Sequence, residues 1–104
     1  MQQETVEADP RTVIEAISKR LLMRAEYNGT SLSLAPHILF ERHGSLHLGA
    51  LNTAKVWREG EVPRLGSFKL SGLRKLVLTA EPFDPALGLG QALPREGDQL
   101  ILAV

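Results

Sequence analysis

The chain has 104 residues, which is enough for one domain near the lower end of the usual size range. Its hydrophobic content of 43% excludes a disordered chain, and the absence of cysteine excludes disulfides, thiolate metal sites and thiol nucleophiles. The net charge is zero, so the chain as a whole gives no electrostatic case for binding nucleic acid.

Residues 1–9 are polar and acidic, and we expect them to form a flexible tail. They differ from a signal peptide, which starts with basic and then apolar residues. No apolar run approaches the roughly 20 residues that span a bilayer. Together with the lack of cysteine, these features predict a soluble cytoplasmic protein without a membrane segment, folded as one domain over residues 10–104.

A helix is predicted from Pro10 to about Arg20. Asp9 is a suitable N-cap, and proline is favoured at the first helical position because no backbone N–H is needed there. Apolar residues then recur at the spacing of one helical face: Val13, Ile14, Ile17 and Leu21. We therefore expect this face to pack on the rest of the fold.

Over residues 21–27 the apolar period changes to the alternation of a strand. Asn28-Gly29 is a strong hairpin signal because both residues tolerate positive φ, and His43-Gly44 supplies a second tight turn. Pro36 cannot donate to a strand ladder, so it is expected at an edge or a strand break, with a new strand over residues 37–41.

Two segments, residues 52–66 and 82–97, are predicted to be irregular because glycine, proline and polar residues interrupt them. The first is long for a compact domain and is therefore a candidate functional loop. Further strands are predicted over residues 46–50, 68–70, 75–80 and 99–104. The fold class is accordingly α+β and mainly β, with one N-terminal helix followed by a small antiparallel barrel of five or six strands.

Residues that could carry catalysis are too scattered to form a site. His37, His43 and His47 have no metal-binding motif and are explained more simply as exposed strand or turn residues. Asp84 and Asp98 are isolated carboxylates of the kind that stabilise turns and caps, and no Gly-x-Ser-x-Gly elbow is present. We therefore expect a protein that is not an enzyme and needs no metal or cofactor.

Positive charge is concentrated in residues 42–75, which carry seven cations and two anions, whereas the remainder carries five cations and ten anions. Such a segment forms either a surface that faces an anion or a scattered, solvated face.

Several short segments resemble one known domain when they are taken in chain order. They are Ile14-Glu-Ala-Ile17 followed by Tyr27, Pro36-x-x-Leu39, Gly44-Ser-Leu-His-Leu-Gly-Ala50, Phe68-Lys-Leu-Ser-Gly-Leu73 and Glu81-Pro-Phe83. The set resembles the WYL domain, a bacterial Sm-like/SH3-like barrel usually found behind a DNA-binding helix-turn-helix in transcriptional regulators, over about residues 12–84. The resemblance implies a barrel that senses a ligand, often a nucleic-acid or nucleotide-like anion, through aromatic and basic side chains.

The chain departs from the WYL pattern at the arginines that hold the anion. Both arginine positions of the motif around Phe68 are glycine here, Gly66 and Gly72, while Lys69 adds a cation inside the motif. The Trp-Tyr-Leu triplet that names the family falls on Leu46-His47-Leu48. The few residues before the predicted helix leave no room for a helix-turn-helix, so DNA binding of the regulators' kind is not expected.

Two functional hypotheses remain open, and an enzyme is the least favoured third. In the first, the chain is a WYL-like regulatory module that binds an anionic nucleotide or single-stranded nucleic acid. The candidate ligand-binding residues are His47, Lys69, Arg58, Arg64 and Arg74, with Lys55 and Lys75 on the same basic segment. In the second, the barrel is a structural or interaction module with a vestigial pocket, acting through self-association or a protein partner.

The predicted last strand, residues 99–104, is apolar on both faces and carries no charged side chain. A strand with one face in solvent does not need this pattern. We favour pairing with a second copy across a two-fold axis, which makes a homodimer. The alternatives are that the strand closes its own barrel or is buried beside the helix.

Overall fold

The computed structural model of the chain describes residues 9–54, 58–61, 64–85 and 94–104. These residues contain one α-helix, α1, which spans Pro10–Lys19. The Asp9 side chain accepts a hydrogen bond from the backbone N–H of Arg11 at 2.9 Å, and Arg20 ends the helix in the left-handed conformation, with φ of 57°. The predicted helix and its N-cap are therefore confirmed.

In the described part of the chain, six strands follow the helix, and they are antiparallel wherever they pair. Their bounds are β1 Leu21–Tyr27, β2 Thr30–Arg42, β3 Ser45–Asn52, β4 Gly66–Lys69, β5 Leu73–Pro82 and β6 Gln99–Ala103. A 3₁₀ turn at Leu70–Gly72 joins β4 to β5. The expected fold class, one helix and a mainly β antiparallel structure, is confirmed.

Two tight turns connect the first three strands. Asn28 and Gly29 have φ of 52° and 80°, and His43 and Gly44 have φ of 52° and 79°. Two successive residues with positive φ match the right-handed twist of the flanking strands, which is why both dipeptides favour hairpins. Both predicted turns are confirmed.

The long strand β2 is the centre of the sheet. The strand order is β4-β3-β2-β1-β5, and β6 also pairs with β2. On the side away from β3, β2 pairs with β1 over residues 30–34 and with β6 over residues 38–41. Pro36 lies between these two ladders, and the register with β3 shifts between Pro36 and Ile38. The strand break expected at Pro36 is therefore not present, and the proline is an irregularity within the continuous strand β2. A residue without an N–H is tolerated at this position because the partner strand of β2 changes there from β1 to β6.

Parts of the predicted loops lie outside the described residues. In the segment predicted as residues 52–66, Asn52 still belongs to β3 and Gly66 already belongs to β4, and residues 55–57 and 62–63 are not described. In the segment predicted as residues 82–97, Pro82 ends β5, residues 83–85 and 94–97 have no regular structure, and residues 86–93 are not described. The predicted tail at residues 1–9 is described only at Asp9.

The two ends of the strand path, β4 and β5, share no ladder among the described residues. Barrel closure therefore stays a prediction.

The main core lies between α1 and one face of the sheet. Ile17 is 1% exposed and packs in one cluster with Leu48 and Leu70, and Phe68 packs against that cluster. The first three of these residues are buried, and Phe68 is partly buried. Within residues 9–54, 58–61, 64–85 and 94–104, no helix is long and apolar enough to cross a membrane.

A partly buried ion pair ties β6 to the end of β2. Nε and Nη2 of Arg42 donate to the two carboxylate oxygens of Asp98 at 2.9 and 2.8 Å, and the Asp98 side chain is only 3% exposed. Asp98 also accepts from the backbone N–H of Arg95 at 2.7 Å, as expected of a turn-stabilising carboxylate. The hydrogen bonds from Arg42, together with the bond from Arg95, lower the pKa of Asp98 from 3.8 to about 2.

Lowering the pH from 3.8 to about 2 is therefore expected to remove the stabilisation that this pair provides. In that interval the unfolded chain binds a proton at Asp98 that the folded chain does not, so the free energy of unfolding falls as the pH falls. Asp98→Asn should lower the melting temperature at neutral pH and flatten its decline in acid. Thermal unfolding followed by circular dichroism over a pH series measures both effects.

The matched control is Asp9→Asn, which makes the same chemical change at an exposed pair with Arg11. Asparagine caps a helix as well as aspartate does, and exposed ion pairs contribute little. Equal melting curves for the two variants would contradict a structural role for the Arg42–Asp98 pair.

Candidate functional site

The face of the sheet opposite the main core brings together two of the predicted site residues. Leu48 of β3 and Phe68 of β4 are register partners and point into the core. Successive side chains of a strand point to opposite faces, so the adjacent partners His47 and Lys69 lie side by side on the other face. Lys69 is exposed and has no ion-pair partner among the described residues.

An aromatic residue supports His47 from the neighbouring strand. Phe40 of β2 is the register partner of His47, and their rings stack at 5.4 Å between centroids with 16° between planes. Phe40 is fully buried in a second, smaller cluster with Ile38 and Leu65. The Arg42 guanidinium lies 5.0 Å from the centroid of the Phe40 ring. A row of aromatic and basic groups thus crosses β2, β3 and β4.

The orientation of the His47 ring is set by a backbone carbonyl. Its Nδ1 lies 3.1 Å from the carbonyl oxygen of Ser45. A carbonyl only accepts, so Nδ1 carries the proton in this bond. The other ring nitrogen, Nε2, is then available to accept a hydrogen bond when the ring is neutral and to donate one when it is protonated.

A shallow polar groove of about 370 Å³ opens beside Lys69. Its lining residues are Gly44, Ser45, Leu46, Lys69 and Ser71. The groove lies where β3 begins at the His43-Gly44 turn and where β4 ends in the 3₁₀ turn. One ammonium group, two hydroxyls and the backbone of a tight turn are groups that suit an anion or a polar ligand.

The other predicted basic residues are more widely distributed. Arg64 is exposed and directly precedes Leu65, which packs on the Phe40 cluster. Arg58 is exposed in a turn that the Glu61 carboxylate closes by accepting from the Arg58 backbone N–H at 2.6 Å. Arg74 of β5 is the register partner of Glu26 of β1. The structure thus places Lys69 and His47 together, and within the described residues no hydrogen bond or ion pair joins them to Arg58, Arg64 or Arg74.

Two further residues of the basic segment form ion pairs with carboxylates. Arg42 binds Asp98, and Lys75 lies 3.5 Å from Glu26. Lys55 lies outside the described residues.

The two glycines at the arginine positions of the WYL pattern have close neighbours. A Cβ atom at Gly72 would lie 2.9 Å from Cε1 of Tyr27, and one at Gly66 would lie 3.1 Å from Cε1 of Phe68. These two rings contact each other edge to face at 5.2 Å. An arginine at position 72 would therefore require the Tyr27 ring to move, so the aromatic pair and the family's arginine exclude each other in this packing.

Two of the three histidines differ from the expectation of exposed strand or turn residues. His43 is exposed in its turn, as expected, but His47 is half-buried and His37 is only 3% exposed. His37 lies in the buried central part of β2, with its ring 5.2 Å from that of Phe83 and its Nδ1 2.8 Å from the carbonyl oxygen of Ala35. The His37 ring can be buried because the Ala35 carbonyl oxygen accepts a hydrogen bond from its Nδ1. The described residues contain no cluster of three or more metal-ligating side chains.

Sequence reasoning missed the support that Phe40 gives to His47 and the pairing of Arg42 with Asp98. A strand over residues 37–41 was predicted from the sequence, but the cross-strand partner of Phe40 depends on the register that the His43-Gly44 turn sets. Arg42 and Asp98 are 56 residues apart, and no local pattern connects them.

Comparisons of the chain with protein-family models, curated proteins and solved structures gave no match.

Proposed function

We propose that the protein is a non-enzymatic, WYL-like regulatory module that binds an anionic ligand, a nucleotide or a single-stranded nucleic acid, in the groove beside Lys69. The observation that carries this proposal is the position of Lys69. It lies at the groove on a paired strand, without an ion-pair partner among the described residues, and directly opposite His47. We place this module in the cytoplasm, on the sequence features given above.

The proposal includes a closed Sm-like barrel, and the contact between Tyr27 and Phe68 supports closure. Their strands, β1 and β4, are three places apart in the strand order. Neighbouring strands are about 4.8 Å apart, so in a flat sheet these two strands would be separated by about 14 Å. Their ring centroids are 5.2 Å apart across the main core, which indicates a strongly curled sheet.

The chemistry of the groove favours a phosphate or similar anion over an apolar ligand. The Lys69 ammonium is a compact point charge, and the Ser45 and Ser71 hydroxyls can donate to anion oxygens. A lysine lacks the two-pronged geometry of an arginine, so this site would bind an anion with less geometric specificity than the arginine pocket of the WYL pattern. The His47 ring beside it offers a polar edge for the remainder of the ligand.

Lys69→Gln is expected to weaken anion binding about tenfold or more, because a hydrogen bond to a charged group is lost. A thermal-shift panel of nucleotides, cyclic nucleotides and short single-stranded DNA identifies the ligand, since a ligand at 100 times its Kd adds about 2.7 kcal/mol of stability. Binding should also weaken as ionic strength rises.

Lys19→Gln is the matched control, because it removes one lysine charge on α1, where Lys19 pairs with Glu15. It should leave the affinity unchanged. An affinity that is insensitive to salt, or equal in the wild-type and Lys69→Gln proteins, would overturn the proposed anion site.

The second candidate function, an interaction module that acts through self-association, is favoured by a separate observation. Leu100 and Ile101 of β6 are 50% and 47% exposed.

A further inference from the structure

The groove beside Lys69 has a titratable group at its border, the ring of His47. Lys69 is the register partner of His47 and lines the groove. Ser45, whose carbonyl oxygen accepts from Nδ1 of the His47 ring, lines the same groove. The ring therefore adjoins two of the residues that a ligand in the groove would contact.

Two contacts fix the orientation of the His47 ring. The Phe40 ring stacks on it with 16° between planes, and the Ser45 carbonyl holds Nδ1 at 3.1 Å. Phe40 is fully buried, so it is a fixed support for an imidazole that is itself half-buried. A ligand that binds to the other edge of this ring meets a group whose position is already set, so little side-chain entropy is lost on binding.

The second ring nitrogen of His47, Nε2, has no hydrogen-bond or ion-pair partner among the described residues. In the neutral ring with its proton on Nδ1, Nε2 only accepts, and an anion oxygen also only accepts, so the two atoms repel each other. Protonation adds an N–H at Nε2 and a positive charge, and the same atom then donates a charge-assisted hydrogen bond. The interaction of His47 with an anion therefore changes sign with one proton.

The elements packed around the His47 ring offer it no free carboxylate. Their titratable residues are His37, Glu41 and Arg42 of β2, His43 of the turn, Arg64 before β4, Lys69 of β4 and Asp98 before β6.

Of the two carboxylates, Asp98 is bound by Arg42. Glu41 follows Phe40 on β2, so its side chain points to the opposite face of the strand. Within the described residues, no carboxylate forms an ion pair with His47. A bound anion is therefore the group that can compensate the charge of the protonated ring.

We propose that His47 is a proton-linked second contact for the anion, so that binding in the groove strengthens as the pH falls through the range in which histidine gains its proton. This inference rests on the proposed anion site. At high pH the ligand is attracted by Lys69 alone, and at low pH the protonated ring adds a second cation and a second donor. The complex then holds a proton that the free chain holds less tightly, so a fall in pH favours the complex.

A short oligothymidylate is the probe for this test. Its phosphodiester groups and thymines do not titrate between about pH 5 and 8, whereas histidine does, so a pH dependence in that range comes from the protein. Fluorescence anisotropy at constant ionic strength measures the affinity of the full chain. The affinity is expected to fall about tenfold or more from about pH 5 to 8, because a hydrogen bond to a charged group is lost.

His47→Gln keeps a polar side chain that does not titrate. Its affinity for the probe should be nearly independent of pH and close to the wild-type value at high pH. His43→Asn is the matched control, because it removes the exposed histidine next to Gly44 of the groove. Asparagine tolerates the positive φ of 52° at position 43. This control should keep the full pH dependence of the wild type.

Proton uptake provides a second readout that needs no variant. Calorimetry of the wild-type chain with the probe, in two buffers of different ionisation enthalpy, should show uptake of a fraction of a proton at about pH 6.5. Far-UV circular dichroism at both ends of the pH range checks that each protein is folded. If His47→Gln does not fold, the calorimetric result decides, and binding without proton uptake overturns the proposal.

The outcomes separate this inference from the anion site on which it rests. A wild-type affinity that does not change with pH overturns the role of His47, while weaker binding by Lys69→Gln still supports the anion site. A pH dependence that persists in His47→Gln, or that disappears in His43→Asn, also overturns the role of His47. A wild-type chain that does not bind the probe at any pH overturns both the anion site and the inference drawn from it.

Discussion

Ile17→Ala is expected to lower the free energy of unfolding by about 2–5 kcal/mol, as large-to-small substitutions in a packed core do. Ile17 is 1% exposed and joins α1 to the cluster that contains Leu48 and Leu70. The substitution removes buried apolar surface and leaves a cavity that the two packed layers cannot fill. A domain of this size is stable by only about 5–15 kcal/mol, so the shift in the urea midpoint should be large.

Ile14→Ala is the matched control on the same helix. It removes the same atoms from a side chain that is 39% exposed, so a loss below about 1 kcal/mol is expected. Both variants are measured at low protein concentration, where self-association does not contribute. A loss below about 1 kcal/mol for Ile17→Ala would show that α1 is not docked on the sheet.

Phe40→Ala is expected to cost about 3–5 kcal/mol and to impair the candidate site as well. Phe40 is fully buried in a cluster with Ile38 and Leu65, and its ring stacks on that of His47. Without this ring, His47 loses the surface that supports it beside Lys69. Urea unfolding measures the stability, and titration with the ligand found by the thermal-shift panel measures the effect on binding.

Phe40→Leu separates the two effects. Leucine keeps most of the apolar volume, so the stability loss should stay below about 1.5 kcal/mol. Because leucine cannot stack on His47, any weakening of anion binding that remains in this variant is assigned to the aromatic contact. A Phe40→Ala protein as stable as the wild type would contradict the packing of Phe40 in the second cluster.

The parts of the fold that the sequence predicted are those set by local chemistry. Asp9-Pro10 specifies the start of α1, because the cap and the proline act within one turn. Asn28-Gly29 and His43-Gly44 specify their hairpins, because each needs two successive positive φ angles. The bounds of α1 and β1 follow from the change of apolar period at Leu21.

The parts that could not be predicted depend on contacts between distant segments. The sequence shows that Pro36 disrupts a ladder, but only the folded sheet shows that β2 continues past it while its neighbour changes from β1 to β6. The burial of His37 has the same cause, because the middle of β2 becomes the middle of the sheet. At the candidate site, the WYL resemblance drew attention to Lys69 and His47, whereas their adjacency and the support from Phe40 come from strand register.

The most direct test of the anion site is a nuclear magnetic resonance titration of the isotope-labelled chain with nucleotides and short single-stranded DNA. We expect chemical-shift changes confined to the groove and its neighbour His47, with the largest at Gly44, Ser45, Lys69 and Ser71. A second concave surface, lined in part by Arg24, Ser33 and Thr79, serves as the internal comparison. Shift changes that saturate at the groove would support the proposed anion site. Changes centred on Arg24, or none at millimolar ligand, would contradict it.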